Sequence, residues 1–271
     1  MFCPNHIVID RFVEHCLEQF QAACPQRPDA YADSLEGSAR TALELLLGCD
    51  CSYHDLNHTV MVTDAGQTML HGRQLAQGDI SAHDWLQTMV ALFYHDIGYI
   101  RGLLHEDRPG NYLADETGQR VTPPDGATDA FMMPYHVSRG GLFVAQRFAD
   151  DPSIDVATVA SHIEMTRFPV PAFPQYQDTE SFSALVRAAD LIGQMADPLY
   201  MHKLPRLYSE FVETGEATRL GYVDTSTLRA DFPDFFYAHV YPYVTVGLKW
   251  LGKTQAGQID TLDFGDLLLE R

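Results

Sequence analysis

Apolar residues recur along most of this chain every three to four positions, the spacing of helices that bury one face. Residues 7–23 place Ile7, Phe12, Val13, Cys16 and Phe20 in this way. Residues 33–47 run from a cap at Asp33 or Ser34 to an apolar end at Leu43–Leu47 and stop at Gly48. Residues 54–76 read as a long helix in which His54, His58, Val62, Ala65 and Met69 share one face. Residues 82–97 read as another, ended by Gly98. The period returns at 137–149, 153–166, 180–197 and 199–214, and again at 225–252 with an interruption near Pro233. The stretch Pro169–Pro174 contains three prolines and cannot be helical throughout. No alternating strand series and no internal repeat appears. The predicted fold class is all-α, a bundle-like domain with a C-terminal helical extension.

One long segment breaks the pattern. Residues 99–134 are rich in Gly, Pro, Asp and Thr, with Thr122-Pro123-Pro124-Asp125-Gly126 inside them. A loop this long within a compact domain usually serves a site. It directly follows an adjacent His95-Asp96 pair, so it is expected to hang over whatever that pair does, as a lid or substrate loop. The expected organisation is a core over residues 54–197 that includes this loop, N-terminal helices over 1–53 packed on it, and a C-terminal extension of the same domain over 198–271.

Charge narrows the partners. Asp and Glu number 37 against 18 Lys and Arg, a formal net charge of −19. Such a chain repels long nucleic acid. A small anionic substrate stays open, because bound divalent cations invert the local field. No apolar run is long enough to span a bilayer. The N-terminus lacks a basic region followed by an apolar stretch, so no membrane partner is expected and the expected compartment is cytoplasmic. All five Cys precede His54 and show no framework spacing, which suits reduced thiols. Cys49 and Cys51 form a metal or redox pair, or two small buried residues at a helix end. Whether the chain forms a homo-oligomer is left open.

The candidate chemistry lies in His58, His95, Asp96 and Asp190. Adjacent His95 and Asp96 offer a nitrogen and an oxygen ligand, and a carboxylate can bridge a second cation. Mixed imidazole and carboxylate donors suit Lewis-acid chemistry on phosphate. Asp190 shares its helix with Leu185, Val186, Ala189, Leu191 and Ile192, where an unpaired carboxylate is costly unless it meets a cation. A salt bridge to Arg187, one turn back, is the competing explanation. Arg139 and Arg167 are the guanidinium groups expected to clamp phosphate oxygens, against the commoner role of a solvated helix Arg. Glu164 is a further acid in this region, or a surface residue.

The strings Tyr53-His54-Asp55-Leu56-Asn57-His58, Tyr94-His95-Asp96-Ile97-Gly98 and Ala189-Asp190-Leu191 stand in the order H…HD…D. Over roughly residues 54–197 this order resembles the HD superfamily of metal-dependent phosphohydrolases, which includes the cyclic-nucleotide phosphodiesterases. The resemblance implies His58, His95, Asp96 and Asp190 as metal ligands and His54 as the acid that protonates the leaving oxygen. Asp55 stands where phosphodiesterases have Asn. Tyr99 stands where HD-GYP enzymes have Lys, and no GYP signature follows, which separates the chain from that branch. His136 and His162 lie where dinuclear HD proteins hold a second metal. The implied activity is hydrolysis of a small phosphoester by metal-activated water. The implied cofactor is one or two ions of iron, manganese or zinc, with magnesium less suited to so many imidazoles. Two other classes remain: a mixed-valent di-iron oxygenase of the HD fold, if all six ligands assemble, and a non-catalytic sensor that keeps the metal for ligand binding.

Overall fold

The computed structural model describes residues 4–258. They fold mostly into helices, and the fold is all-α. Helix α1 spans Pro4–Ala23, α2 Asp29–Leu46, α3 Leu56–Gln77 and α4 Ala82–Tyr94. Helix α5 spans His136–Arg147, α6 Val156–Glu164, α7 Phe182–Met195 and α8 Tyr200–Thr214. Helices α9 Glu216–Leu220, α10 Thr225–Phe235 and α11 Tyr241–Leu251 follow.

The centre of the bundle is α4. Every residue from Trp85 to Tyr94 is buried, so the helix is covered all round. Its start is fixed by a capping box: Ser81 accepts from Asp84 N, and the Asp84 side chain accepts from Ser81 N. Helices α2, α3, α6 and α7 pack on it, and α11 closes over α3 and α7. One continuous apolar core therefore runs from Ile9 in α1 to Leu251 in α11. The N- and C-terminal helices belong to the same core as the central ones.

Two of these helices meet at unusually short range. A β-carbon on Gly193 of α7 would sit 2.6 Å from Val62 Cα of α3. Only glycine allows that approach. It brings together the helices that carry His58 and Asp190.

Several boundaries differ from the sequence expectation. Helix α2 starts at Asp29, directly after Pro28, one turn before the expected Asp33 or Ser34 cap. Helix α3 starts at Leu56, so His54 lies outside it rather than on its face. Asp55 is its N-cap and accepts from His58 N at 3.0 Å. This capping role accounts for an aspartate at that position. Gly98 is not a helix C-cap. Helix α4 ends at Tyr94, and Gly98 lies in a 3₁₀ turn, Ile97–Tyr99. Pro233 does not break α10. The irregularity comes later, as a π-helical turn over Phe236–Val240.

The segment 99–134 is not a bare loop. It holds a two-residue hairpin, β1 Tyr112–Leu113 against β2 Arg120–Val121, and a 3₁₀ turn over Asp129–Met132. Arg139 of α5 ties it down from below. Its guanidinium donates to the carbonyls of Gly98, Ile100 and Leu113 and pairs with Asp107 at 2.9 Å. Arg101 makes a second tie, to Asp129 at 2.6 Å and Asp50 at 3.0 Å. Among the described residues no helix is long and apolar enough to cross a membrane.

Candidate functional site

The C-terminal end of α4, the first turn of α3 and the middle of α7 converge on one point. Nε2 of His58 and Nε2 of His95 are 3.4 Å apart. Asp96 Oδ2 lies 3.2 Å from each of them. Asp190 Oδ1 lies 3.5 Å from His58 Nε2 and 3.7 Å from His95 Nε2. His58, His95 and Asp190 thus offer ligand atoms within 4.8 Å of one another, and Asp96 adds an oxygen to the same space.

The donor set fits a divalent cation. His95 Nδ1 donates to Leu92 O at 2.8 Å, which leaves Nε2 as a lone pair facing inward. Asp96 Oδ2 is buried and accepts no well-aligned hydrogen bond, and the groups that face it are Nε2 of His58 and of His95 at 3.2 Å. Such an oxygen is costly unless a positive charge meets it. Titration points the same way. Burial alone would make His58 harder to protonate, but Asp190 and Asp96 override it and push its pKa up to about 10. Burial opposes charge on His95 too, and Asp96 raises its pKa in spite of that. Asp96, although buried, is held well below the usual carboxylate range by His95 and His58. The two carboxylates give this space a negative field that draws positive charge, and a donor set of two imidazoles and two carboxylates suits a borderline transition metal better than magnesium.

Arg187 does not compete for Asp190. It donates to the carbonyls of Tyr176 and Asp178 and stacks over the Tyr243 ring at 4.3 Å. The salt-bridge explanation of Asp190 is therefore absent.

His54 reaches the site from outside the helix. Its ring lies edge-on to that of His58, 5.4 Å between centroids. Nδ1 sits 2.6 Å from Glu210 Oε2 of α8. Glu210 also accepts from Tyr53 N at 2.6 Å. Burial works against charge on His54, yet Glu210 holds its pKa above the ordinary value. Glu210 is a site residue that the sequence reading missed.

Tyr99 forms a wall. Its ring is stacked between His54, at 4.7 Å, and His136, at 4.3 Å. The wall continues into a small apolar cluster of Cys51, Ala130 and Met132. Cys49 and Cys51 are free thiols there. The neighbouring Cys49 thiol and burial raise the Cys51 pKa far above its usual value, so it is no ready metal ligand.

His136 lies on the far side of Asp96, with Nε2 3.7 Å from Oδ1. Its Nδ1 is 2.6 Å from Met133 O. The two oxygens of Asp96 therefore face different imidazoles, Oδ2 toward His58 and His95 and Oδ1 toward His136. The expected partner for His136 is not beside it. His162 bonds through Nδ1 to Ser183 Oγ at 2.7 Å, at the start of α7. Burial pushes its pKa down to about 4, and the charges it feels are Asp84 and Asp155, at the starts of α4 and α6. The expectation that His162 ligates a second metal is corrected: it is a packed histidine of α6 that meets α7 at Ser183, two helical turns before Asp190.

Both expected phosphate clamps are corrected too. Arg139 is fully buried and spends its guanidinium on the loop carbonyls and Asp107. Arg167 pairs with Glu164 through two hydrogen bonds of 2.7 Å, and Tyr176 donates to the same carboxylate at 2.5 Å. That pair lines an open pocket of about 350 Å³ with Val137, Ser138 and Gly141, on the face of α5 turned away from His136.

A search of curated proteins gave no match, and a search of solved structures gave none. A family profile described as Npun_R2479-like matches residues 2–263. The chain belongs to the Npun_R2479-like family.

Proposed function

We propose that this protein is a metal-dependent phosphohydrolase of the HD type, acting on a small phosphoester. The observation that carries the proposal is the convergence of Asp96 Oδ2, at 3.2 Å, and of Asp190 Oδ1 on the inward-facing Nε2 atoms of His58 and His95. A cation held by His58, His95, Asp96 and Asp190 would supply Lewis acidity at a phosphoryl oxygen and lower the pKa of a bound water. The residues do the rest. His54 carries a proton on Nε2 while Glu210 holds Nδ1, which equips it to protonate the departing alkoxide. Asp96 and Asp190 keep His58 and His95 in place. Tyr99 keeps the rings of His54 and His136 parallel and screens them from water.

The di-iron oxygenase reading required six ligands, and His162 stands apart from the other five. The test is metal analysis of the purified protein with a screen of phosphomonoesters and phosphodiesters. Hydrolysis that follows metal content and disappears in Asp96→Asn is expected. A metal-loaded protein that cleaves no phosphoester would sink the proposal.

A further inference from the structure

An acidic chain that takes a phosphoester needs a local cation for the substrate's oxygens. Arg139 and Arg167 are committed elsewhere. Lys203 is differently placed. A cavity of about 10 Å³ beside the centre is lined by His58, Tyr53, Gln194, Asp197 and Lys203. On α7 and just beyond it, Asp190, Gln194 and Asp197 follow one another at spacings that keep one helical face. The cavity is therefore the continuation of the candidate metal centre along α7. Of its polar groups, Tyr53, Gln194 and Lys203 can donate to an anion, and the Asp197 carboxylate opposes one. Lys203 Nζ donates to Asp197, and only 15% of its side chain is exposed. Tyr53 Oη donates to Gln194 Oε1 at 3.3 Å, and the Gln194 amide nitrogen carries two further N–H donors.

We propose that Lys203, latched to Asp197 and seated with Gln194 beside His58, is the anchor for the substrate's phosphoryl oxygens. The assignment rests on the phosphoester function proposed above and adds a residue to it. A cavity of this size holds about one water. A phosphoryl group enters only when Lys203 leaves Asp197 and turns its ammonium to the anion. Lysine suits this exchange, because its charge is compact and its stem flexible. Asp197 keeps a second function when released, since it also accepts from Leu199 N at 2.8 Å.

The probe is inorganic phosphate, titrated calorimetrically into manganese-loaded protein, with metal content measured on the same samples. K203Q should weaken phosphate binding by about tenfold while metal content stays at the wild-type value, the loss expected for one charge-assisted contact. K203R should recover most of the affinity. D197N should tighten phosphate, because the anion no longer competes with a carboxylate. Wild-type affinity in K203Q overturns the anchor and leaves the phosphoester function standing. Metal-loaded wild type that binds no phosphate overturns both. If K203Q does not fold, D197N decides, and unchanged affinity there overturns the latch.

Discussion

Glu210 Oε2 sits 2.6 Å from Nδ1 of His54, although more than half the chain separates the two residues. The pair makes the C-terminal helices part of the site. Replacing Glu210 with Gln keeps the shape and removes the charge that raises the His54 pKa. The expected result is a loss of kcat of about tenfold or more on substrates with poor leaving groups, and a smaller loss on aryl phosphates that leave unaided. The alkaline limb of the pH profile should move to lower pH, because His54 then loses its proton sooner. Equal losses on both substrate classes with an unmoved profile would mean that Glu210 only holds the fold.

Gly98 faces α5. A β-carbon there would lie 1.9 Å from His136 O. Gly98→Ala must push α5 away and carry His136 and Arg139 with it. A destabilisation of about 1–3 kcal/mol is expected by chemical denaturation, the usual cost of overpacking. A variant with wild-type stability would show that α5 yields freely.

Arg139→Met leaves Asp107 buried without its cation and frees the carbonyls of Gly98, Ile100 and Leu113. Breaking a buried pair from one side costs about 3–5 kcal/mol. Limited proteolysis should then cut within 99–134 before it cuts any helix. Cleavage elsewhere first would remove Arg139 as the loop's anchor.

His162 makes the protein acid-sensitive. Its pKa is pushed down to about 4 in the fold, and an unfolded His titrates near 6.5. Between those values the unfolded chain binds a proton that the folded chain refuses, so stability falls as pH drops through this window. The contribution is about 3 kcal/mol at most. Urea midpoints for wild type and His162→Leu should converge as pH goes from 7 to 5. Parallel curves would rule His162 out as the cause.

The periodic helices and the His58, His95, Asp96 and Asp190 set were legible because each stands in a short, local pattern. The misses are contacts between distant segments. Glu210 lies in a sequence that reads as a solvated helix, yet it follows Tyr200, Leu204 and Leu207 on the buried stripe of α8. An acid on an apolar stripe was the available signal. Arg139 falls on the buried face of α5 in the same way, with Val137, Gly140 and Val144. Its burial is what turns a candidate phosphate clamp into a tie for the loop. His162 misled because interval along the chain says nothing about which way a helix turns its face. His54 reads as part of α3 from its four-residue spacing to His58, a spacing that holds equally well across a cap at Asp55.

Tyr99 stands between two imidazoles of the site, its ring stacked on both. A smaller residue there would loosen both at once, and a larger one would not fit between them. Positions 54, 99 and 136 are therefore open to change only together. In descendants of this chain they should be inherited as a unit, and a lineage that abandons the aromatic plate should be found to have remodelled both histidines.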